Sequence, residues 1–82
     1  MNENQKKDIG GLLFLAESVL KLRKLDDKHY QDEFEKFFLC LIQGKDVIDD
    51  YERRDAGIGD EQWDFAKYKF YNALGRDYGK AT

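Results

Sequence analysis

The chain has 82 residues, of which 41% are hydrophobic and 15% aromatic, with 17 acids, 14 bases and no proline. This composition predicts a single folded helical domain over residues 1–82, because a proline-free chain with ample apolar area suits helices joined by short turns. The net charge of −3 argues against a general nucleic-acid binder, which normally presents a basic face.

The N-terminal segment predicts the first helix. Asn2 and Gln5 have the spacing of a capping box, and Asp8 could cap a shorter helix. Glycine weakens a helix interior by about 1 kcal/mol relative to alanine. The Gly10-Gly11 pair therefore favours a helix that begins there over glycines that admit another backbone.

An apolar stripe follows the glycines and predicts the buried face of this helix. Its members are Leu12, Leu13, Leu15, Ala16, Val19, Leu20 and Leu22. Phe14 points away from the stripe, so we expect its ring to be exposed. Lys21, Arg23 and Lys24 follow in the last turn, where the helix dipole favours cations; a phosphate-binding patch is the alternative.

The segment from Tyr30 to Tyr51 carries more large aromatic and aliphatic side chains than any other, and we expect the fold to be built around it. At about 100° per residue, one side of a helix collects Tyr30, Phe34, Phe37, Phe38, Leu41, Ile48 and Tyr51. Because this phase persists across Gly44, the pattern favours one long helix kinked near that residue. An N-cap is expected at Asp26 or Asp27.

A break at Gly44 is the alternative for this segment. Gly44 could end one helix and Asp46 could cap the next, which would give four helices rather than three. Either arrangement predicts the same fold class, a small all-α antiparallel bundle.

The last helix follows a turn over residues 55–60, where two glycines precede a capping Asp60. We expect it to run from Glu61 to Leu74 or Tyr78. Its apolar stripe consists of Trp63, Ala66, Phe70, Tyr71, Leu74 and Tyr78.

Five apolar residues lie outside the three stripes and are candidates for self-association. They are Phe14, Leu39, Ile42, Phe65 and Tyr68. Isolated exposed apolar residues are ordinary, but five spread over all the helices of a small protein invite a second interface.

Eight acids between Lys45 and Asp64 face only three bases, which gives this segment a net charge of −5. They are Asp46, Asp49, Asp50, Glu52, Asp55, Asp60, Glu61 and Asp64. We expect Asp46, Asp49 and Asp50 to share one helical face. A rigid set of carboxylates can occupy a basic groove and compete with a nucleic-acid backbone. The alternative is an ordinary solvated exterior with capping acids.

Catalytic, metal and cofactor sites are not predicted. His29, Cys40 and Ser18 are each the only residue of their type, so neither a zinc site nor a hydrolytic triad can be assembled. We expect His29 to be exposed and Cys40 to be a buried, inert thiol. The acidic run from Asp50 lacks the ligand and glycine positions of an EF-hand, and there is no phosphate-binding loop.

The single cysteine excludes an internal disulfide and favours a reducing, cytoplasmic setting. No secretory signal is evident, and no apolar run approaches the roughly 18 residues that span a bilayer. We therefore expect no membrane partner.

The leading hypothesis is a non-enzymatic, acidic helical module that binds another protein with a basic surface. It could be an inhibitor or adaptor of phage or mobile-element type, acting on a host nucleic-acid-handling protein, by analogy of size and charge. The alternative is a self-assembling module, a homo-dimer or higher oligomer, with a small-ligand or structural role. A DNA-binding domain that uses Lys21, Arg23, Lys24 and Lys28 is disfavoured by the net charge.

Overall fold

A computed structural model describes residues 2–76, which form four helices and no strand. The helices are α1 (Glu3–Lys21), α2 (Asp27–Ile42), α3 (Asp50–Asp55) and α4 (Asp60–Ala73). α1 packs against each of the other three, most extensively against α4. The predicted all-α bundle is confirmed.

α1 begins at the predicted capping box. The Asn2 side chain accepts from the Gln5 backbone N–H, and the Gln5 side chain accepts from the Asn2 N–H, both at 2.9 Å. The helix then continues through Gly10 and Gly11, so the prediction that it begins there is wrong. A Cβ at either glycine would meet nothing within 4 Å, which also rules out a close backbone approach.

The apolar stripe of α1 forms the centre of the core. Leu12, Ala16, Val19 and Leu20 are fully buried, with Leu13 and Leu15 packed beside them. Phe14 is exposed, as predicted, whereas Leu22 lies outside the core, contrary to the prediction. The core is completed from the other elements by Phe37, Leu41, Ile48, Ile58, Trp63, Phe70 and Tyr71.

α2 is capped by Asp26, whose carboxylate accepts from the His29 backbone N–H at 2.9 Å. It ends at Ile42, so the prediction of a helix continuous through Gly44 is wrong. Gly44 has a φ of +84°, and the N–H groups of residues 44 and 45 bond back to the carbonyls of residues 41 and 40. This is a Schellman ending, in which a left-handed glycine satisfies the last carbonyls of a helix.

The chain from Gly44 to α3 is held by side-chain caps instead of helical hydrogen bonds. The Asp46 carboxylate accepts from the Ile48 N–H at 3.0 Å, and the Asp49 carboxylate accepts from the Glu52 N–H at 2.8 Å. Aspartates compete with the helix for backbone donors in this way, which favours a turn. Ile48 is still buried, but Tyr51 is 79% exposed, so its predicted place on the apolar side is wrong.

α4 buries the predicted Trp63, Phe70 and Tyr71, and its turn lies where the glycines indicate. Its N-cap is Gly59 rather than Asp60, which occupies the first helical position. Leu74 is the C-cap and is exposed; Tyr78 lies outside the described residues.

The element that organises the fold is α1, not the segment from Tyr30 to Tyr51. That segment divides into α2, a turn and the start of α3, while α1 contacts α2, α3 and α4. Two further hydrogen bonds tie α4 to the other helices. Tyr71 Oη donates to the Leu41 carbonyl at 2.5 Å, and Gln5 Nε2 donates to the Ala73 carbonyl at 3.4 Å.

Two glycine-to-alanine substitutions should have opposite effects on stability. Gly44→Ala places a Cβ in a left-handed conformation and should lower the free energy of unfolding by about 1 kcal/mol. Gly10→Ala lies in a helix interior with open space and should raise it by about 0.5–1 kcal/mol. Urea unfolding followed by Trp63 fluorescence measures both. A stabilised Gly44→Ala protein would contradict the helix ending described above.

Candidate functional site

The structure separates the eight predicted partner-binding acids into two groups. Asp46 and Glu52 turn inward and bond to groups of other helices, as described below. The other six acids are exposed, and we call them the acidic corner: Asp49, Asp50, Asp55, Asp60, Glu61 and Asp64. The side chains of Asp46 and Glu52 are 23% and 29% exposed, so they are less available to a partner than the acidic corner.

Asp46 joins the turn after α2 to α4. Its Oδ2 accepts from Trp63 Nε1 at 2.7 Å and lies 3.2 Å from Lys67 Nζ, while Oδ1 accepts from the Ile48 N–H. The expectation that Asp46, Asp49 and Asp50 share a helical face is therefore wrong. Asp46 and Asp49 precede α3, and each carboxylate satisfies backbone donors of the turn or of the first helical residues.

Glu52 is bound by Arg23, which reaches it from the end of α1. Arg23 Nε and Nη2 donate to the two carboxylate oxygens at 2.6 and 2.8 Å, and Nη1 donates to Glu33 on α2 at 2.8 Å. The hydrogen bonds from Arg23 lower the pKa of Glu52. One guanidinium thus connects α1, α2 and α3.

Arg53 lies beneath the acidic corner and joins two of its six acids, Asp50 and Asp60. Its side chain is 3% exposed, and Nη1 donates to the Ile58 carbonyl at 3.0 Å. Nη2 lies 2.9 Å from Asp50 Oδ1 and 2.8 Å from Asp60 Oδ1, although these two carboxylates are 69% and 62% exposed. The first residues of α3 and α4 therefore meet on one buried cation, and their carboxylates face solvent.

Asp60 also accepts hydrogen bonds from a second arginine, Arg54. Arg54 Nε and Nη2 donate to its two oxygens at 3.1 and 2.9 Å. The hydrogen bonds from Arg54, and then those from Arg53, lower the pKa of Asp60 to about 2. Asp60 therefore stays ionised at any physiological pH, which keeps the corner negative.

The predicted self-association residues occupy more than one side of the bundle. Phe65 and Tyr68, on α4, are 60% and 49% exposed, and their rings lie nearly parallel with centroids 6.5 Å apart. Phe14 on α1 and Leu39 on α2 are exposed, while Ile42 is half-buried. Among the five predicted self-association residues, Phe65 and Tyr68 are the pair whose rings contact each other.

An open apolar groove of about 510 Å³ runs between α1 and α2. The side chains that line it are Leu13, Glu17, Tyr30, Gln31, Phe34, Glu35 and Phe38. Leu13, Phe34 and Phe38 were predicted as core, and they pack against it from the edge while keeping one side accessible. The sequence did not indicate this groove, because it depends on how far apart two helices lie.

The lone histidine and cysteine occupy unrelated settings. His29 is exposed, as expected, with Nδ1 2.8 Å from Asp26 Oδ1. Cys40 is half-buried rather than fully buried.

Within residues 2–76, no three His, Cys, Asp or Glu side chains are arranged to hold a metal ion. Over the same range, no helix is both long enough and apolar enough to cross a membrane.

Comparison of the chain with protein-family models, with curated proteins and with solved structures gave no match.

Sequence reasoning missed the two arginines that organise the site. The sequence indicates only a helix-dipole role for Arg23, and it marks Arg53 only as one of the three bases in the acidic segment. Arg23 and Glu52 are 29 positions apart, so no local spacing indicates their pairing. Arg53 and Asp50, three apart on α3, carried a weak signal, because oppositely charged residues at that spacing can meet on a helix.

The depressed pKa of Asp60 predicts a loss of stability in acid. Because the folded-state pKa of about 2 lies below the usual 3.8, this carboxylate stabilises the fold above pH 4, and the contribution is lost as the pH falls towards 2. Asp60→Asn should therefore be less stable than the natural chain at pH 7, with the difference shrinking towards pH 2. Urea unfolding across this range, with Asp32→Asn as an exposed control, measures the effect. A pH-independent difference would contradict the arginine contacts.

Proposed function

We propose that this chain is a non-enzymatic cytoplasmic interaction module whose acidic corner binds a basic surface on another protein. The observation that supports the proposal is the position of Arg53. It is buried while Asp50 and Asp60, which it draws together, keep most of their carboxylate surface in solvent. Two of the six carboxylates of the corner are therefore held in fixed positions at the surface.

A fixed carboxylate array suits a partner that normally binds phosphates. Arginine and lysine side chains that contact a nucleic-acid backbone meet negative charges at regular spacing, and a rigid acidic surface can compete for them. We therefore propose an inhibitor or adaptor role towards a nucleic-acid-handling protein, of the kind that phages and mobile elements carry against a host. Size and charge support this last step by analogy.

The test is affinity capture from a cell lysate with charge-neutralised variants. Asp55→Asn/Glu61→Gln removes two exposed carboxylates that make no ion pair within residues 2–76, so the fold should be unaffected. Glu3→Gln/Asp32→Asn removes the same two charges from exposed sites on α1 and α2 and is the matched control. We expect the corner variant to retain about tenfold less of the captured protein, or about 0.7 kcal/mol per charge.

The captured protein should be released by salt and by duplex DNA, since both compete with the carboxylates. Equal capture by the corner variant and the control, or capture indifferent to salt and DNA, would contradict the acidic-corner proposal.

Self-association is a second candidate, and the exposed ring pair on α4 favours it. Phe65 and Tyr68 form a contiguous aromatic surface that solvates poorly, and aromatic residues are enriched at interfaces. A solution mass that stays at one chain at every concentration would remove this candidate.

A further inference from the structure

The groove between α1 and α2 has the features of an acceptor for an aromatic side chain. Its floor is formed by apolar and aromatic side chains of Leu13, Phe34 and Phe38, and its volume of about 510 Å³ is within the range of binding pockets. Its rim carries Glu17 and Glu35. Glu17 is paired with Lys21, but Glu35 makes no ion pair among residues 2–76. The groove therefore suits an apolar group accompanied by a positive charge.

The α4 surface has the complementary features of a donor. Phe65 and Tyr68 stand one helical turn apart with parallel rings, and Lys69 Nζ lies 4.9 Å from the Phe65 ring centroid. Lys69 is held only loosely by Asp8, at 4.0 Å, and its side chain is about half exposed. The exposed rings match the apolar floor of the groove, and the adjacent cation matches the acidic Glu35 on its rim.

These two surfaces lie on nearly opposite sides of α1. The α1–α2 groove is lined by Leu13, whereas Phe65 and Lys69 border a depression lined by Gly11 and Leu15 of α1. Residues two apart on a helix are separated by about 200° around its axis. One chain therefore cannot place its own α4 rings in its own groove.

We propose that the occupant of the groove is α4 of a second copy of this chain, with Phe65 and Tyr68 inserted between α1 and α2 and Lys69 beside Glu35. This rests on the self-association candidate above and specifies its geometry. Because donor and acceptor lie on nearly opposite sides of α1, one neighbouring copy cannot occupy both at once, and the contact is head-to-tail. Copies then add to one another as an open chain or close as a ring, and they do not form a symmetric pair.

Two variants remove the surfaces separately while leaving the core intact. Phe65→Ser/Tyr68→Ser removes the donor rings. Gln31→Lys/Glu35→Lys gives the groove a positive rim that repels Lys69. Both pairs are exposed, and circular dichroism with Trp63 fluorescence verifies the fold of each. Glu3→Lys/Asn4→Lys makes the same charge change as the rim variant in the first turn of α1, away from the groove, and Tyr51→Ser removes an exposed ring elsewhere.

Sedimentation velocity and light scattering at roughly 10 µM to 1 mM, the range expected for a small contact, provide the readout. The natural chain, Glu3→Lys/Asn4→Lys and Tyr51→Ser should grow in mass with concentration. Each of the two surface variants alone should associate at least about tenfold more weakly than the natural chain. An equimolar mixture of the two should form a complex of two chains and no larger, because only one intact donor meets one intact groove.

Other results would overturn the proposal in distinguishable ways. If the groove variant associates as the natural chain does, the groove is not the acceptor, although self-association itself stands. If the mixture stays monomeric while the natural chain grows, donor and acceptor have been assigned wrongly. If the natural chain is monomeric throughout, the proposal and the self-association candidate both fail.

Discussion

The buried stripe of α1 is the constraint on which the rest of the structure depends. Leu12, Ala16, Val19 and Leu20 are removed from solvent because α2, α3 and α4 all lie against the same helix. A small chain has few ways to bury enough apolar area to offset its conformational entropy, and one shared helix is an economical arrangement. Ala16 contributes by its small size, since a short side chain lets neighbouring elements approach closely.

The corner around α3 has little apolar area of its own and is fixed by charged groups instead. α3 has six residues, too few to be stable by itself, and it supplies only one buried residue, Arg53. Arg53 bonds to the Ile58 carbonyl and to two acids, while Arg23 connects Glu52 to α1. The same contacts decide which acids remain available to a partner. Arg23 and Arg53 therefore stabilise the fold around α3 and also determine which carboxylates face solvent.

Local signals in the sequence predicted the local features of the fold. Capping at Asn2 and Asp26 depends on residues three positions apart, and the exposure of Phe14 follows from helical phase; all three predictions are confirmed. The prediction that one helix continues through Gly44 was wrong, because it too was based on helical phase. Hydrophobic phase reports which side chains face the core, and Ile48 does, but it cannot distinguish a helix from a turn that returns the chain to the same side.

The surfaces were less predictable than the helices, because they depend on contacts between distant residues. Nothing near Asp46 in the sequence indicates that its carboxylate accepts a hydrogen bond from Trp63, 17 positions away, or that its side chain is only 23% exposed. The α1–α2 groove likewise arises from the separation of two helices. The glycines gave two wrong helix boundaries. Gly10 and Gly11 were expected to begin a helix but lie within one, because its packing outweighs their weak propensity. Gly44 was expected to lie within a helix but ends one.

Native-state amide hydrogen exchange tests the central role of α1 most directly. If α1 is the shared wall of the core, the amides of residues 12–20 should exchange only through global unfolding, with the highest protection in the chain. The amides of residues 30–41 in α2, which has fewer neighbours, should exchange at the same rate or faster. Protection that is highest in α2, with α1 opening by local fluctuations, would contradict this account and restore the aromatic segment as the organising element.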